Sequence, residues 1–371
     1  MRLTSSIGGW TALLLVALLP AVLLLPAPGL SGSAVAQSSD FYAGKTLRII
    51  VGLEAGGTAD VFARGFAVHL KKHIPGNPTI VVQNMPSAGG NSAVNYLAER
   101  AGADGLTILY NPFHPLAQAL GDQALRTRYD QLDYIGATGD IRVDYMRADT
   151  VPGGAKKPSD IIKADTVIVG QQSSTDFSGT LAYLALQVLG VKARRITGYR
   201  GGSDIFLAMQ RGEVQYHNTS IGTFRTRSAA FIKAGDGIGV SYLVPVGANG
   251  HYERSKFVSE MPAFPDLYKE IHGKLPAGPT WDAFNWLTNQ VGELSFIALA
   301  PPGMPPAALS ALRGGFERAS HDPEFIKESV AKNGIAYSYV GVPRGEAIIR
   351  ALAEVSPEVV GTLRTAIGAA N

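Results

Sequence analysis

One arrangement recurs along this chain and restricts its fold more than any other: a short β-rich run, a loop of glycine and small polar residues, then an amphipathic helical stretch. Leu47 to Val51 is strand-like, Gly52 to Asp60 (GLEAGGTAD) is the loop, and Asp60 to Lys72 is helix-like with Phe62, Phe66 and Leu70 on one face. Thr79 to Val82 is a second strand, followed by the run Asn84 to Asn91 and a helix through Asn95 to Ala98; Leu106 to Tyr110 is a third strand. The pattern returns at Thr166 to Gly170, with a polar loop to Gly179 and a helix from Thr180 to Leu189. It returns again at Arg195 to Gly198, with Tyr199 to Asp204 as loop and Ile205 to Arg211 as helix. Strands alternating with helices at this spacing predict α/β layers with parallel strands. Linkers are expected near Gly136 to Val143 and Gly235 to Pro245, and the Pro- and Gly-rich stretch from Tyr252 to Pro279 reads as surface connection. Leu294 to Leu299 is a further strand, and helices are expected over 307–320, 323–333 and 344–367.

A loop that ends a parallel strand and opens a helix presents backbone N–H groups with no intrahelical partner, and the helix dipole makes the spot mildly positive. Gly56-Gly57-Thr58 and Ser87-Ala88-Gly89-Gly90-Asn91 both suit a carboxylate, because glycine lets it approach the backbone and Thr58, Ser87 or Asn91 adds a donor. Phosphate fits worse. The spacing from Gly52 to Thr58 resembles a P-loop, but Thr58 stands where lysine is required, and no G-x-G-x-x-G follows a strand. Any one such loop is more often a plain turn; four of them, in two pairs, point to a shared cleft.

Residues 1–36 read as a secretory leader: one charge at Arg2, an apolar run from Trp10 to Leu25 broken at Pro20, then Ala34-Val35-Ala36 as an A-x-A cleavage pattern. The apolar run is short of the roughly 20 residues of a spanning helix, so cleavage before Gln37 and export to the periplasm are expected. The chain has no cysteine, which excludes disulfides, thiolate chemistry and a lipid anchor on Cys. Net charge is +3, and removal of Arg2 leaves +2, with basic residues scattered in short pairs, so nucleic acid is not an expected partner.

The sequence resembles the substrate-binding proteins of tripartite tricarboxylate transporters, the Bug or TctC-like family of bacterial periplasmic receptors, over nearly the whole chain after residue 36. Four stretches carry the resemblance: Ile49-Ile50-Val51 with Gly56-Gly57-Thr58-Ala59-Asp60 and Ala63-Arg64; the run Asn84, Pro86, Ala88, Gly89, Gly90, Asn91; Tyr199, Gly201, Gly202 with Gly212-Glu213-Val214; and Ala300, Pro301, Gly303, Pro305. The resemblance implies an α/β fold of the periplasmic-binding-protein type (type II, Venus flytrap), with parallel-rich sheets flanked by helices. Domain 1 would comprise residues 37–140 and 245–371, and domain 2 residues 141–244. It implies a small organic acid held by Gly57, Thr58, Ala59 and Asp60 of the first loop and Ala88, Gly89, Gly90 and Asn91 of the second. Ser174, Thr175, Ser178, Tyr199, Gly201, Gly202, Ser203 and Asn218 would close over it from the central domain. It further implies a monomer that works without cofactor or metal and hands its ligand to membrane permease subunits. A sensor partner is the alternative.

Two departures bear on the ligand. Glu54 stands among residues replacing the family's prolines, and Asp176 opens the central helix; facing a cleft, both acids would disfavour a second carboxylate there. The segment 268–286 exceeds the family's usual length. For an exported hydrolase there is little support: no G-x-S-x-G is present, and His69 and His73 have metal-like spacing but no third ligand placed by a motif. Asp140 and Asp144 read as a solvated linker. Tyr110 and Phe113 read as core, while Phe177 and Tyr199 suit core or cleft equally.

Overall fold

The computed structural model describes residues 41–247 and 249–368, so the leader expected over residues 1–36 lies outside them. In chain order the strands are β1 (Thr46–Val51), β2 (Thr79–Asn84), β3 (Thr107–Pro112), β4 (Asp133–Gly139), β5 (Arg142–Arg147), β6 (Val167–Gly170), β7 (Ala193–Ile196), β8 (Tyr216–Ser220), β9 (Gly237–Tyr242), β10 (Phe296–Ala300) and β11 (Ser338–Val340). They form two sheets, a six-stranded one in the order β11-β4-β10-β3-β1-β2 and a five-stranded one in the order β7-β6-β8-β5-β9. This is the expected α/β class, but each sheet is mixed. β1 runs parallel to β2 and β3, and β6 runs parallel to β7 and β8. β10 lies antiparallel to β3 and β4, and β5 antiparallel to β8 and β9.

Helices cover both faces of the first sheet. Successive residues of β1 therefore enter different cores: Ile49 and Val51 join Phe66, Tyr110 and Phe316, whereas Ile50 joins Leu97, Leu109 and Ile349. Phe66 sits 5.3, 4.7 and 5.2 Å from the rings of Tyr110, Phe316 and Phe325. Tyr110 and Phe113 are buried, as core residues should be. In the second sheet Val143 and Tyr145 face one core with Ile205 and Met209, while Met146 faces another with Val169, Leu181 and Leu184.

The linkers expected near 136–143 and 235–245 are largely strand: the chain leaves the first sheet at Gly139 and enters the second at Arg142. The stretch 252–279 is not all surface connection, because helix Phe264–His272 lies within it and buries Phe264 and Leu267. The segment 268–286 runs on into helix Pro279–Glu293, which packs on helix Phe177–Val188. The helix expected over 344–367 is two, Val342–Ala351 and Pro357–Ile367, because Pro357 restarts the chain and the Ser356 hydroxyl accepts the N–H of Val359. The second of these buries Leu363 and Ala366 in the same core as Leu181 and Leu184. Among the described residues no helix is long and apolar enough to cross a membrane.

Two glycines separate packing from propensity. A Cβ at Gly136 in β4 would lie 2.5 Å from the Phe316 ring, whereas one at Gly65, exposed in helix Thr58–His73, meets nothing within 4 Å. Gly136→Ala should lower the unfolding free energy by about 1–3 kcal/mol, and Gly65→Ala should raise it by about 0.5–1 kcal/mol. Urea denaturation of both variants, with unchanged slope, measures this.

Candidate functional site

A cavity of about 410 Å³ lies between the two sheets, at the carboxyl ends of strands from both. Its first wall is the loop between β1 and helix Thr58–His73. Gly52 is pinned there because its N–H donates to Asn111 Oδ1 at 2.9 Å, and Gly56 adopts φ +76° as the loop turns. Gly57 caps the helix with no side-chain hydrogen bond, so the N-terminal amides are left to whatever enters the cavity. Gly57, Thr58 and Ala59 line the cavity. Asp60 is used otherwise: its carboxylate accepts from Gly56 N at 2.9 Å and pairs with Arg64 at 2.9 Å.

The opposite wall comes from the second sheet. Gly201, Gly202 and Ser203 line it, and helix Gly202–Gln210 also starts without a side-chain cap. Ser203 Oγ is held by Arg227 at 2.6 Å. Tyr199, one of the cleft-or-core aromatics, packs into the core beside Ile205, while Phe177 lines the cavity. Helix Phe177–Val188 differs from the other two, since Asp176 caps it through Ser178 N at 3.1 Å. A carboxylate of the protein itself thus fills that N-terminus. Asp176 and Glu54 both line the cavity; Glu54 is exposed at its lip and Asp176 is buried.

The second glycine loop stands to one side. Ala88, Gly89 and Gly90 take left-handed φ values of 49°, 63° and 99° in succession, and a Cβ at Gly90 would meet Asn111 Nδ2 at 2.7 Å. Ala88, Gly89 and Asn91 line a small recess covered by Gln172, Ser173 and Thr175, and that recess shares His114, Gln172 and Asp176 with the main cavity. Thr175 donates to Asp122 Oδ2 at 2.7 Å, and Ser174 is exposed. Around the recess Asn91 Oδ1, Asn111 Nδ2 and His114 Nε2 are buried without hydrogen-bond partners among the described residues.

The floor holds what the sequence reading missed. Arg142, the first residue of β5, lines the cavity and donates from Nη2 to Ser178 Oγ at 2.7 Å and to Asn218 Oδ1 at 2.8 Å. Its Nε also reaches Asn218 Oδ1, at 3.0 Å, and its guanidinium lies 5.1 Å from the Phe177 ring centre. Asn218 lies within β8, not after it, and its Nδ2 donates to Asp144 Oδ1 at 2.9 Å. Asp140 and Asp144 are not a solvated linker: they are 7% and 0% exposed, Asp140 at the crossing between sheets and Asp144 inside β5 between Asn218 and Ser241. A signal was present: in Asp140-Ile141-Arg142-Val143-Asp144 charges fall on every second residue, which on a strand places them on one face.

Burial sets the charge states. It pushes the Asp140 carboxyl up to about 6 and Asp144 up to about 7, against the opposing pull of Arg142 on both and of Asn218 on Asp144. Asp176 is raised as well, by burial, with the N–H groups of Gln172, Ser178 and Gly179 opposing. Burial lowers His114 to about 4 and, with Arg142 and Arg227, His217 to about 3, so both rings are neutral at pH 7. At the lip Arg200 is paired to Asp204 at 2.9 Å. The arrangement can hold an anion at Arg142 and at two uncapped helix starts, and it offers hydrogen-bond partners between them.

Fold and site define a class: an α/β protein of two sheets with a polar cleft at the strand ends, the fold of periplasmic binding proteins. BugD, a periplasmic binding protein, matches with a TM-score of 0.64 at 18% identity, over 88% of this chain and 98% of its own. MatC from Rhodopseudomonas palustris, solved with malate, matches at 0.61 and 18% over 87% and 99%. A TctC solute binding protein from Polaromonas matches at 0.55 and 17% over 88% and 99%. The resemblance read from the motifs is thus to proteins that share this fold. No protein-family model matches the chain, and no curated protein matches it.

The raised carboxyls give a pH test. Asp140 and Asp144 keep their protons in the folded chain to higher pH than the ordinary 3.8, so folding takes up protons between about pH 4 and 7 and their contribution to stability declines as pH rises through that window. His114 and His217 act in the opposite sense as pH falls below 6.5, so the test is a difference between variant and parent. Relative to the parent, Asp144→Asn should gain stability with rising pH, by up to about 1.4 kcal/mol per pH unit, in urea denaturation from pH 4 to 8.

Proposed function

We propose that this chain is an exported solute-binding protein of the Bug and TctC type, which captures a small organic acid in the cleft and presents it to the permease subunits of a tripartite tricarboxylate transporter in the periplasm. The observation that carries the reading is the half-buried Arg142 on the floor of a cavity flanked by two helix starts that lack side-chain caps. The lobes are taken as residues 37–140 with 245–371, and 141–244. A carboxylate at Arg142 would gain charge-assisted hydrogen bonds of roughly 1.5–3 kcal/mol each. A second acidic group would meet the amides of Gly57 to Ala59 or of Gly201 to Ser203, with Ser178 and Asn218 orienting Arg142.

Ala88 to Asn91 and Thr175 would act from the recess through His114, which is neutral and has a bare Nε2. Asp140 and Asp176 beside Arg142 offset its charge, which supports one carboxylate at that end and hydroxyl groups along the chain. Malate, with which MatC was solved, has a carboxylate at each end and one hydroxyl between them.

Thermal-shift screening against mono-, di- and hydroxydicarboxylates tests the reading. At 100-fold excess over Kd the right acid should stabilise by about 2.7 kcal/mol. Arg142→Gln should weaken binding roughly 10- to 150-fold, the equivalent of one or two lost charge-assisted bonds, and Arg142→Lys should retain part of it. A flat response to all acids, or full affinity in a folded Arg142→Gln protein, overturns the proposal.

A further inference from the structure

Away from the cleft, at the far end of helix Thr58–His73, two histidines and three carboxylates converge. His69 and His73 lie one turn apart on that helix, and Asp322, Glu324 and Glu328 belong to the start of helix Pro323–Asn333 packed beside it. His69 is 2% exposed, so it is not a surface histidine. Ligand atoms of His69, Asp322 and Glu324 all lie within 4.8 Å of one another. The third ligand that no motif could supply comes from a residue 249 positions away from His73.

The state of the His69 ring points to a cation. Its Nε2 stands 3.2 Å from Glu328 Oε2, so that nitrogen carries the proton; two acceptors would otherwise face each other. Nδ1 is buried with no hydrogen-bond partner among the described residues, and it looks across 3.9 Å at Asp322 Oδ1, which accepts the N–H groups of Glu324 and Phe325 at 2.8 and 3.3 Å. An unpartnered ring nitrogen therefore faces a carboxylate oxygen. A hydrogen bond does not span 3.9 Å. A metal ion does: two donors about 2 Å from one ion lie up to about 4 Å apart.

We propose that His69 Nδ1, Asp322 and Glu324 form a binding site for a divalent transition-metal ion of the zinc type. Imidazole with carboxylates suits such an ion better than magnesium or calcium, which take oxygen donors alone. Glu328 fixes the His69 tautomer from outside the site, and His73 Nε2, 2.7 Å from Asp322 Oδ2, orients that carboxylate. Lys72 holds Glu324 at 2.6 Å, but both side chains are exposed, at 47% and 70%, so the pair is weak and Glu324 is released to the metal at little cost. The ion would tie the helix whose first turn lines the cleft to its neighbour.

The test is calorimetric titration of tag-free, chelator-treated protein with Zn²⁺, and with Co²⁺ followed by visible absorption. One equivalent should bind. Glu324→Gln, at an exposed position, and His69→Gln should each lower affinity by at least about tenfold, the least that even outer partners of metal ligands contribute. Lys72→Ala should bind as tightly as the parent or more so. Absence of saturable binding up to about 1 mM overturns the assignment. So does full affinity in folded Glu324→Gln protein, which would assign the metal to other histidines. If His69→Gln fails to fold, Glu324→Gln decides alone.

Discussion

A guanidinium half withdrawn from water needs partners on its covered side, and the middle of this molecule is organised around that requirement. Arg142 enters where the chain crosses from one sheet to the other, and it gathers Ser178 from helix Phe177–Val188 and Asn218 from β8, with Phe177 beneath it. Asp140, Asp144 and Asp176 supply the opposing charge, at the cost of carboxyls held partly protonated. Removing one member of such a group strands the others, so the residues of the floor stand or fall together. The site and the joint between sheets are therefore the same piece of structure.

The walls follow a different principle. Four of the helices that begin near the cleft divide according to what satisfies their first amides. Asp176 closes one from within the protein; Gly57 and Gly201 offer no side chain at their positions and leave two open. The fourth, which starts after three left-handed residues, faces a recess lined by the chain's own Gln172, Ser173 and Thr175. One type of local sequence has thus given three different environments, and the difference lies in what the rest of the fold places opposite.

What was legible in the sequence was what is local. Glycine-rich turns between strand and helix carry their signal within a few residues, so Gly57, Thr58, Gly201 and Gly202 were found and do line the cavity. Arg142 was not, since its partners Ser178 and Asn218 are 36 and 76 residues away and the strand around it had been read as a linker. The antiparallel position of β10 between β3 and β4 was equally hidden, because pairing is decided by packing far along the chain. Asn218, named on a resemblance alone, lines the cavity; its contact with Asp144 explains why an amide is needed there, accepting from an arginine on one side and donating to an acid on the other.

The final helix, Pro357–Ile367, follows a strand and a helix of the six-stranded sheet, yet buries Leu363 and Ala366 against the helix that Asp176 starts. The last turns of the polypeptide thus act as a strap laid across to the five-stranded side. Any hinge motion that widens the cleft must carry this strap along or peel it off apolar contacts, which resists wide opening. The width of the cleft is thereby tied to apolar packing on helix Pro357–Ile367, which lines no part of the cavity.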